Sequence, residues 1–138
     1  IMMTNEGEVR LLDMGIAKIL NPDSSKSRTN LTRQVSGMGT PEVMPPEQWA
    51  DASSVSAASD FYSLGCTFYY LLAGKMPFQA SDLHGLMHAH LTQTPPDIRS
   101  VRKDVPARVA NVIARMMAKE ASERFATGRE LIAAFTDG

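Results

Sequence analysis

Asp13 stands in the stretch Val9-Arg10-Leu11-Leu12-Asp13-Met14-Gly15-Ile16-Ala17-Lys18, a single carboxylate between apolar and small residues. An Asp-x-Gly of this kind is either a turn or a carboxylate held in place for a hard cation, and the downstream residues must decide between the two. Three further signals come in order: Gly39-Thr40-Pro41-Glu42-Val43-Met44-Pro45-Pro46-Glu47, then Ser59-Asp60-Phe61-Tyr62-Ser63-Leu64-Gly65, then a late Arg124. Glu47 and Asp60 both sit where an acid suits the positive end of a helix dipole. His84 and His88 are spaced four apart, with His90 close behind, as a metal pair on one helix face would be. No further ligand cluster accompanies them, so the spacing alone does not make a zinc site. The sole cysteine, Cys66, lies in an apolar run and reads as inert core, and the nine methionines read as packing.

These residues need elements to hold them. Ile1-Met2-Met3 and Val9-Arg10-Leu11-Leu12 are short apolar-rich runs separated by Thr4-Asn5-Glu6-Gly7, which has turn chemistry; the pattern predicts a β-hairpin. Two strands alone are marginal, so the hairpin must pack on something larger. From Asn21 to Thr40 the chain is rich in Ser, Thr, Asn and basic residues and reads as a long loop, functional or disordered. After Pro45-Pro46 the pattern turns helical. Ser59-Asp60 opens a run that is apolar on nearly every face and predicts a fully buried helix to about Ala73, stopped by Gly74 and Pro77. Ser81 is positioned to cap the next helix. Val109, Val112, Ile113, Met116 and Met117 share a helical face. Thr127 and Glu130 form a capping box, with Leu131, Ile132 and Phe135 as the last apolar stripe. The expected architecture is mainly α: a short N-terminal hairpin followed by a helical body, without internal repeats.

Bulk properties exclude several classes. With 138 residues, 43% hydrophobic and 21% charged, the chain suits one globular domain or a large part of one. A net charge of −1 gives no footprint for nucleic acid or an anionic membrane. One cysteine excludes a disulfide framework and points to a reducing, cytoplasmic setting. The longest apolar run, Leu64 to Gly74, falls well short of the roughly 20 residues that cross a bilayer. Ile1 is not a start methionine and no basic region precedes an apolar one, so no signal peptide is expected; either a start was trimmed or the chain begins inside a longer one.

The four signals, in this order and spacing, together with Gly15-Ile16-Ala17-Lys18 and the late Ala118-Lys119-Glu120-Ala121-Ser122-Glu123-Arg124-Phe125, resemble the C-terminal lobe of protein kinases, and most closely the bacterial eukaryotic-like Ser/Thr kinases. The resemblance covers the whole chain. It implies a kinase-like C-lobe within an α+β superfamily, arranged as hairpin 1–12, metal-binding motif, activation loop and peptide-positioning loop 13–47, and helical lobe 48–138. It implies that Asp13 holds Mg²⁺ against the phosphates of ATP and that Gly15 is the motif glycine where the backbone turns. It makes Thr29, Thr32 and Ser36 the candidate phosphoacceptors of the activation loop, where a phosphate would order the loop through basic groups. Thr40 matches the threonine that positions the peptide, as in Ser/Thr rather than Tyr specificity. Glu47 matches the Glu of Ala-Pro-Glu and Arg124 its late arginine partner, a pair suited to fixing architecture. Asp60 matches the acid that accepts hydrogen bonds from the catalytic-loop backbone.

The sequence departs from the family locally and in extent. Met14 replaces the usual Phe, Pro45-Pro46-Glu47 replaces Ala-Pro-Glu, and Val43 stands where an aromatic residue is common. Nothing matches the glycine-rich loop, the strand lysine, its helix glutamate partner or the His-Arg-Asp loop; by the resemblance, Ile1 falls just after the catalytic-loop Asn. The general base is therefore expected upstream of Ile1. The expectation is a portion of a Ser/Thr kinase acting on protein substrates with ATP and Mg²⁺, inactive as this chain alone and lacking its N-lobe and catalytic loop as partners. The alternative is a degenerate lobe serving as a scaffold or regulatory binding module. In either case the central helix, about Ser59 to Ala73, is expected to pack partly against a helix that is also missing, and its exposed apolar face to make the chain marginal or aggregation-prone alone.

Overall fold

A computed structural model describes residues 2–10, 40–51 and 53–136. The chain divides into two compact units, Ile1–Asn30 and Leu31–Gly138.

In the first unit, β1 (Met2–Met3) and β2 (Val9–Arg10) pair antiparallel, with Met2 opposite Arg10 and Met3 opposite Val9. Gly7 turns the chain at φ +83°, where a side chain would be strained, and its N–H donates to the Thr4 carbonyl at 3.0 Å. The Thr4 hydroxyl also accepts from the Glu8 N–H at 3.1 Å. Ile1, Leu11 and Leu12, which the sequence adds to these strands, lie outside the described residues.

The second unit holds five α-helices among the described residues. A 3₁₀ turn, Pro41–Val43, leads into the short α1 (Pro46–Ala50). Helix α2 (Ala57–Ala73) is the axis of the unit and ends at Gly74, whose φ of +71° lets its N–H reach back to the Tyr70 carbonyl. It begins two residues before the predicted Ser59, because Ser59 acts from inside the first turn: its Oγ accepts the Ser56 N–H at 3.0 Å. Helix α3 (Leu83–Thr92) is capped by Asp82, not Ser81; the Asp82 carboxylate takes the Gly85 N–H at 2.7 Å. Helix α4 (Ala107–Met116) follows Pro106, and α5 (Gly128–Thr136) closes the order. At α5 the Thr127 hydroxyl accepts the Glu130 N–H, but the Glu130 carboxylate takes the N–H of Ala126, one residue earlier than the capping box requires.

Two apolar clusters flank α2. Tyr62, Cys66, Tyr69, Phe78, Ala89, Ile98 and Ile113 form the larger; Val112, Met116, Phe125 and Leu131 form the smaller. The predicted α4 face is buried at Val112, Ile113, Met116 and Met117 and half-buried at Val109. Gly65 allows α2 to meet α4 closely: a Cβ there would stand 2.8 Å from Met116 Cβ and 2.9 Å from Met117 Cγ.

Two expectations about burial are corrected. Helix α2 is not fully buried as its run of apolar residues predicts, since Tyr70 and Leu71 are 45% and 62% exposed, in line with the other expectation that this helix leaves an apolar face bare. In α5, Leu131 is buried and Phe135 half-buried in the cluster with Val112 and Met116, but Ile132 is 65% exposed and lies outside that cluster. An apolar side chain tolerates burial without ensuring a neighbour to bury it. No described helix is long and apolar enough to cross a membrane.

Candidate functional site

The start of α1, the first turn of α2 and the residues before α5 converge on one guanidinium. Arg124 is 2% exposed. Its Nη1 and Nη2 donate to Oε1 and Oε2 of Glu47, both at 2.8 Å, a parallel fork of two charge-assisted bonds. The remaining N–H groups go to carbonyls: Nη1 to Ala58 at 2.9 Å, Nη2 to Lys119 at 2.9 Å and Nε to Ala118 at 2.8 Å. The guanidinium also lies over the Tyr62 ring, 4.9 Å from its centroid. Ser59 completes the site by donating its hydroxyl to Glu47 Oε1 at 2.8 Å. Burial pushes the Glu47 carboxyl up, but hydrogen bonds from Arg124, its own backbone and Ser59, with the Arg124 charge, more than offset this and hold it below its ordinary value.

Around this pair the sequence residues are distributed unevenly. Thr40 is exposed and directly precedes the 3₁₀ turn, its carbonyl accepting the Val43 N–H at 3.1 Å. Asp60 lies in the first turn of α2 with its side chain exposed. Asp13, Gly15, Thr29, Thr32 and Ser36, like Met14, lie outside the described residues. Among the described residues no group of three or more His, Cys, Asp or Glu is arranged to hold a metal ion. His84 and His88 are exposed on α3, whereas His90 is fully buried.

His90 belongs to a second polar cluster, which sequence reasoning missed. Its Nδ1 is 2.9 Å from the Tyr62 hydroxyl, and its ring packs against Phe78 at 4.9 Å and Trp49 at 6.3 Å between centroids. Lys119 donates to the His90 carbonyl at 2.7 Å and to that of Ala89 at 3.3 Å, closing the end of α3 while sitting 4.3 Å from the Phe78 ring centroid. Burial, with the Lys119 charge, drives the His90 imidazole down to about 4, so it is neutral at pH 7. Burial likewise lowers the Lys119 ammonium to about 8 and raises the Cys66 thiol to about 12, leaving Cys66 an unreactive core group. The missed residues carry little sequence signal: Ser59 appears as a helix opener, and His90 as one of three histidines of which the other two are exposed.

Comparison with known proteins places this geometry in context. A family profile described as the protein kinase domain matches residues 1–134. The chain is 33% identical over 137 residues to the probable serine/threonine-protein kinase PknB of Corynebacterium glutamicum, covering 96% of this chain and 20% of that protein. It is 36% identical over 127 residues to the serine/threonine-protein kinase Pkn1 of Myxococcus xanthus, covering 92% of this chain and 17% of that one. The chain thus spans about a fifth of the length of these curated relatives. Its fold is similar to that of the autoinhibited serine kinase domain of the giant muscle protein titin, with a TM-score of 0.62 at 24% identity, covering 71% of this chain and 30% of that one.

Proposed function

Because the chain belongs to the protein kinase family, we propose that it is the C-lobe portion of a serine/threonine kinase that moves the γ-phosphate of ATP to Ser or Thr of protein substrates. What carries the reading is its identity, across nearly its whole length, with bacterial proteins named as serine/threonine kinases. In this reading the Asp13 carboxylate offers the hard oxygen that Mg²⁺ prefers, and Gly15 turns the backbone beside it. Bound Mg²⁺ would neutralise charge on the nucleotide phosphates. Thr40 orients the substrate segment, and Thr29, Thr32 and Ser36 accept regulatory phosphate. Glu47 and Arg124 fix the end of the positioning segment to the helical body, and the exposed Asp60 offers an acceptor to the backbone of the catalytic loop.

The reaction needs further parts. A group must orient and deprotonate the substrate hydroxyl, and others must cradle the phosphates; none of these 138 residues matches the family's groups for either task. In this reading the chain alone is inactive, and activity requires a longer protein that joins it to groups for those two tasks. The test is transfer of labelled γ-phosphate to a Ser/Thr peptide, with Asp13→Ala as control. The longer protein should transfer phosphate and lose that activity on substitution. Transfer by the 138-residue chain that disappears with Asp13→Ala would overturn the inactivity, and a longer protein without transfer would favour the scaffold.

A further inference from the structure

A hydroxyl inside a helix ordinarily turns back to the carbonyl four residues earlier. Thr67 of α2 does this, donating to the Ser63 carbonyl at 2.8 Å. Two serines on the same stripe of α2 point their hydroxyls outward instead. Ser59 donates to Glu47 Oε1 and Ser63 to the Val43 carbonyl, both at 2.8 Å. The donors stand one helical turn apart, and their acceptors on the segment before and into α1 follow in reverse order at the same sequence spacing. One turn of α2 therefore spans the stretch from Val43 to Glu47 and holds it at both ends.

The backbone donors of this stretch do not attach it to the helices. The Val43 N–H goes to the Thr40 carbonyl at 3.1 Å and the Met44 N–H to the Pro41 carbonyl at 3.2 Å, both inside the 3₁₀ turn. Pro45 and Pro46 have no N–H to give. Met44, Pro45 and Pro46 are buried, and Val43 is half-buried against the larger apolar cluster. Apolar burial draws the stretch to the helical body but is non-directional, whereas a hydrogen bond fixes distance and angle. At the Glu47 end the Arg124 fork supplies that precision, and Ser59 adds to it. At the Val43 end the tie is the Ser63 hydroxyl. Thr40 is joined to Val43 by the bond that closes the turn, so its place follows from where Ser63 holds Val43.

We infer that Ser63 is a positioning residue: with Ser59 one turn away, its hydroxyl fixes the register of the Val43-to-Glu47 stretch on α2 and thereby sets the place of Thr40 for the peptide substrate. The effect on catalysis rests on the kinase reading; the anchoring of Val43 does not.

The experiment uses the longer protein that joins this chain to the groups it lacks. Ser63→Ala removes the anchoring hydroxyl and Ser63→Thr keeps one. Thr67→Val is the control, since it removes a hydroxyl from the same stripe of α2 that bonds only within the helix. Ser63→Ala should speed deuterium exchange at the Val43 and Met44 amides about fivefold, raise KM for a Ser/Thr peptide by a similar factor, and leave KM for ATP within about twofold. Ser63→Thr and Thr67→Val should stay near the unsubstituted protein in all three. Unchanged exchange at Val43 and Met44 overturns the anchor. An unchanged peptide KM, or peptide and ATP KM rising together, overturns the positioning role. If the unsubstituted protein transfers no phosphate, the kinase reading fails and the exchange rates alone decide the anchor. Should Ser63→Ala not fold, Ser63→Cys takes its place with the same expected outcomes, because a thiol of similar shape donates only weakly.

Discussion

All five N–H groups of Arg124 are taken, two by the Glu47 carboxylate and three by backbone carbonyls. Loss of the guanidinium would strand a partly buried carboxylate and three carbonyls at once, so Arg124→Ala should cost about 3–5 kcal/mol in urea unfolding of the intact protein. Arg124→Lys keeps the charge but cannot form the fork, and should recover only part of that. Removing the Ser59 hydroxyl takes a single bond from Glu47, for which Ser59→Ala should cost about 1 kcal/mol. His90 adds a pH dependence. Its folded pKa, about 4, lies below the ordinary value of 6.5, so between these values the unfolded chain binds the proton more readily. Stability from the neutral ring is complete above pH 6.5 and is lost as pH falls toward 4, amounting to about 3 kcal/mol over the whole interval. Glu47, held below its ordinary value, acts in the same direction: its contribution is present above about pH 4.5 and is lost as its carboxyl protonates. Unfolding curves from pH 8 to 4 should show the loss, and His90→Phe should flatten it above the range where Glu47 protonates.

At the scale of elements, the decisive contact is where α2 crosses α4. Gly65→Ala would put a methyl against Met116 Cβ at 2.8 Å, a backbone-anchored atom that cannot swing away, so it should destabilise by about 1–3 kcal/mol despite the better helix propensity of alanine. Serine would be worse, since it adds a hydroxyl to the same space. Thermal melts of the intact protein check the order. The elements also show what local chemistry can and cannot indicate. Gly74 was legible as a helix stop because a C-terminal glycine at positive φ is a local property. The starts of α2 and α3 were displaced from the sequence reading because several hydroxyl or carboxylate residues, Ser56, Ser59, Ser81 and Asp82, compete as caps, and packing selects among them.

At the scale of the molecule, the exposed apolar side chains of α2 bear on behaviour in solution. Tyr70 and Leu71 stand uncovered near its C-terminal end, and Leu71→Ser should raise the soluble monomeric fraction of the 138-residue chain, measured by light scattering after purification. A monodisperse unsubstituted chain with a cooperative melt would count against this. The sequence by itself determined the order of the elements, the mainly helical class, the family and the residue types that its chemistry requires, because periodicity, turn residues and motif order are properties of neighbours along the chain. The tertiary structure alone decided which of those residues meet. Glu47 and Arg124 stand 77 positions apart, and only the fold brings their fork together. It also decided that the Ser63 hydroxyl reaches the Val43 carbonyl, that Ile132 is exposed, and that one histidine of three is buried and neutral. Such facts depend on the burial and distance of groups remote in sequence, and these quantities come into being only when the helices pack.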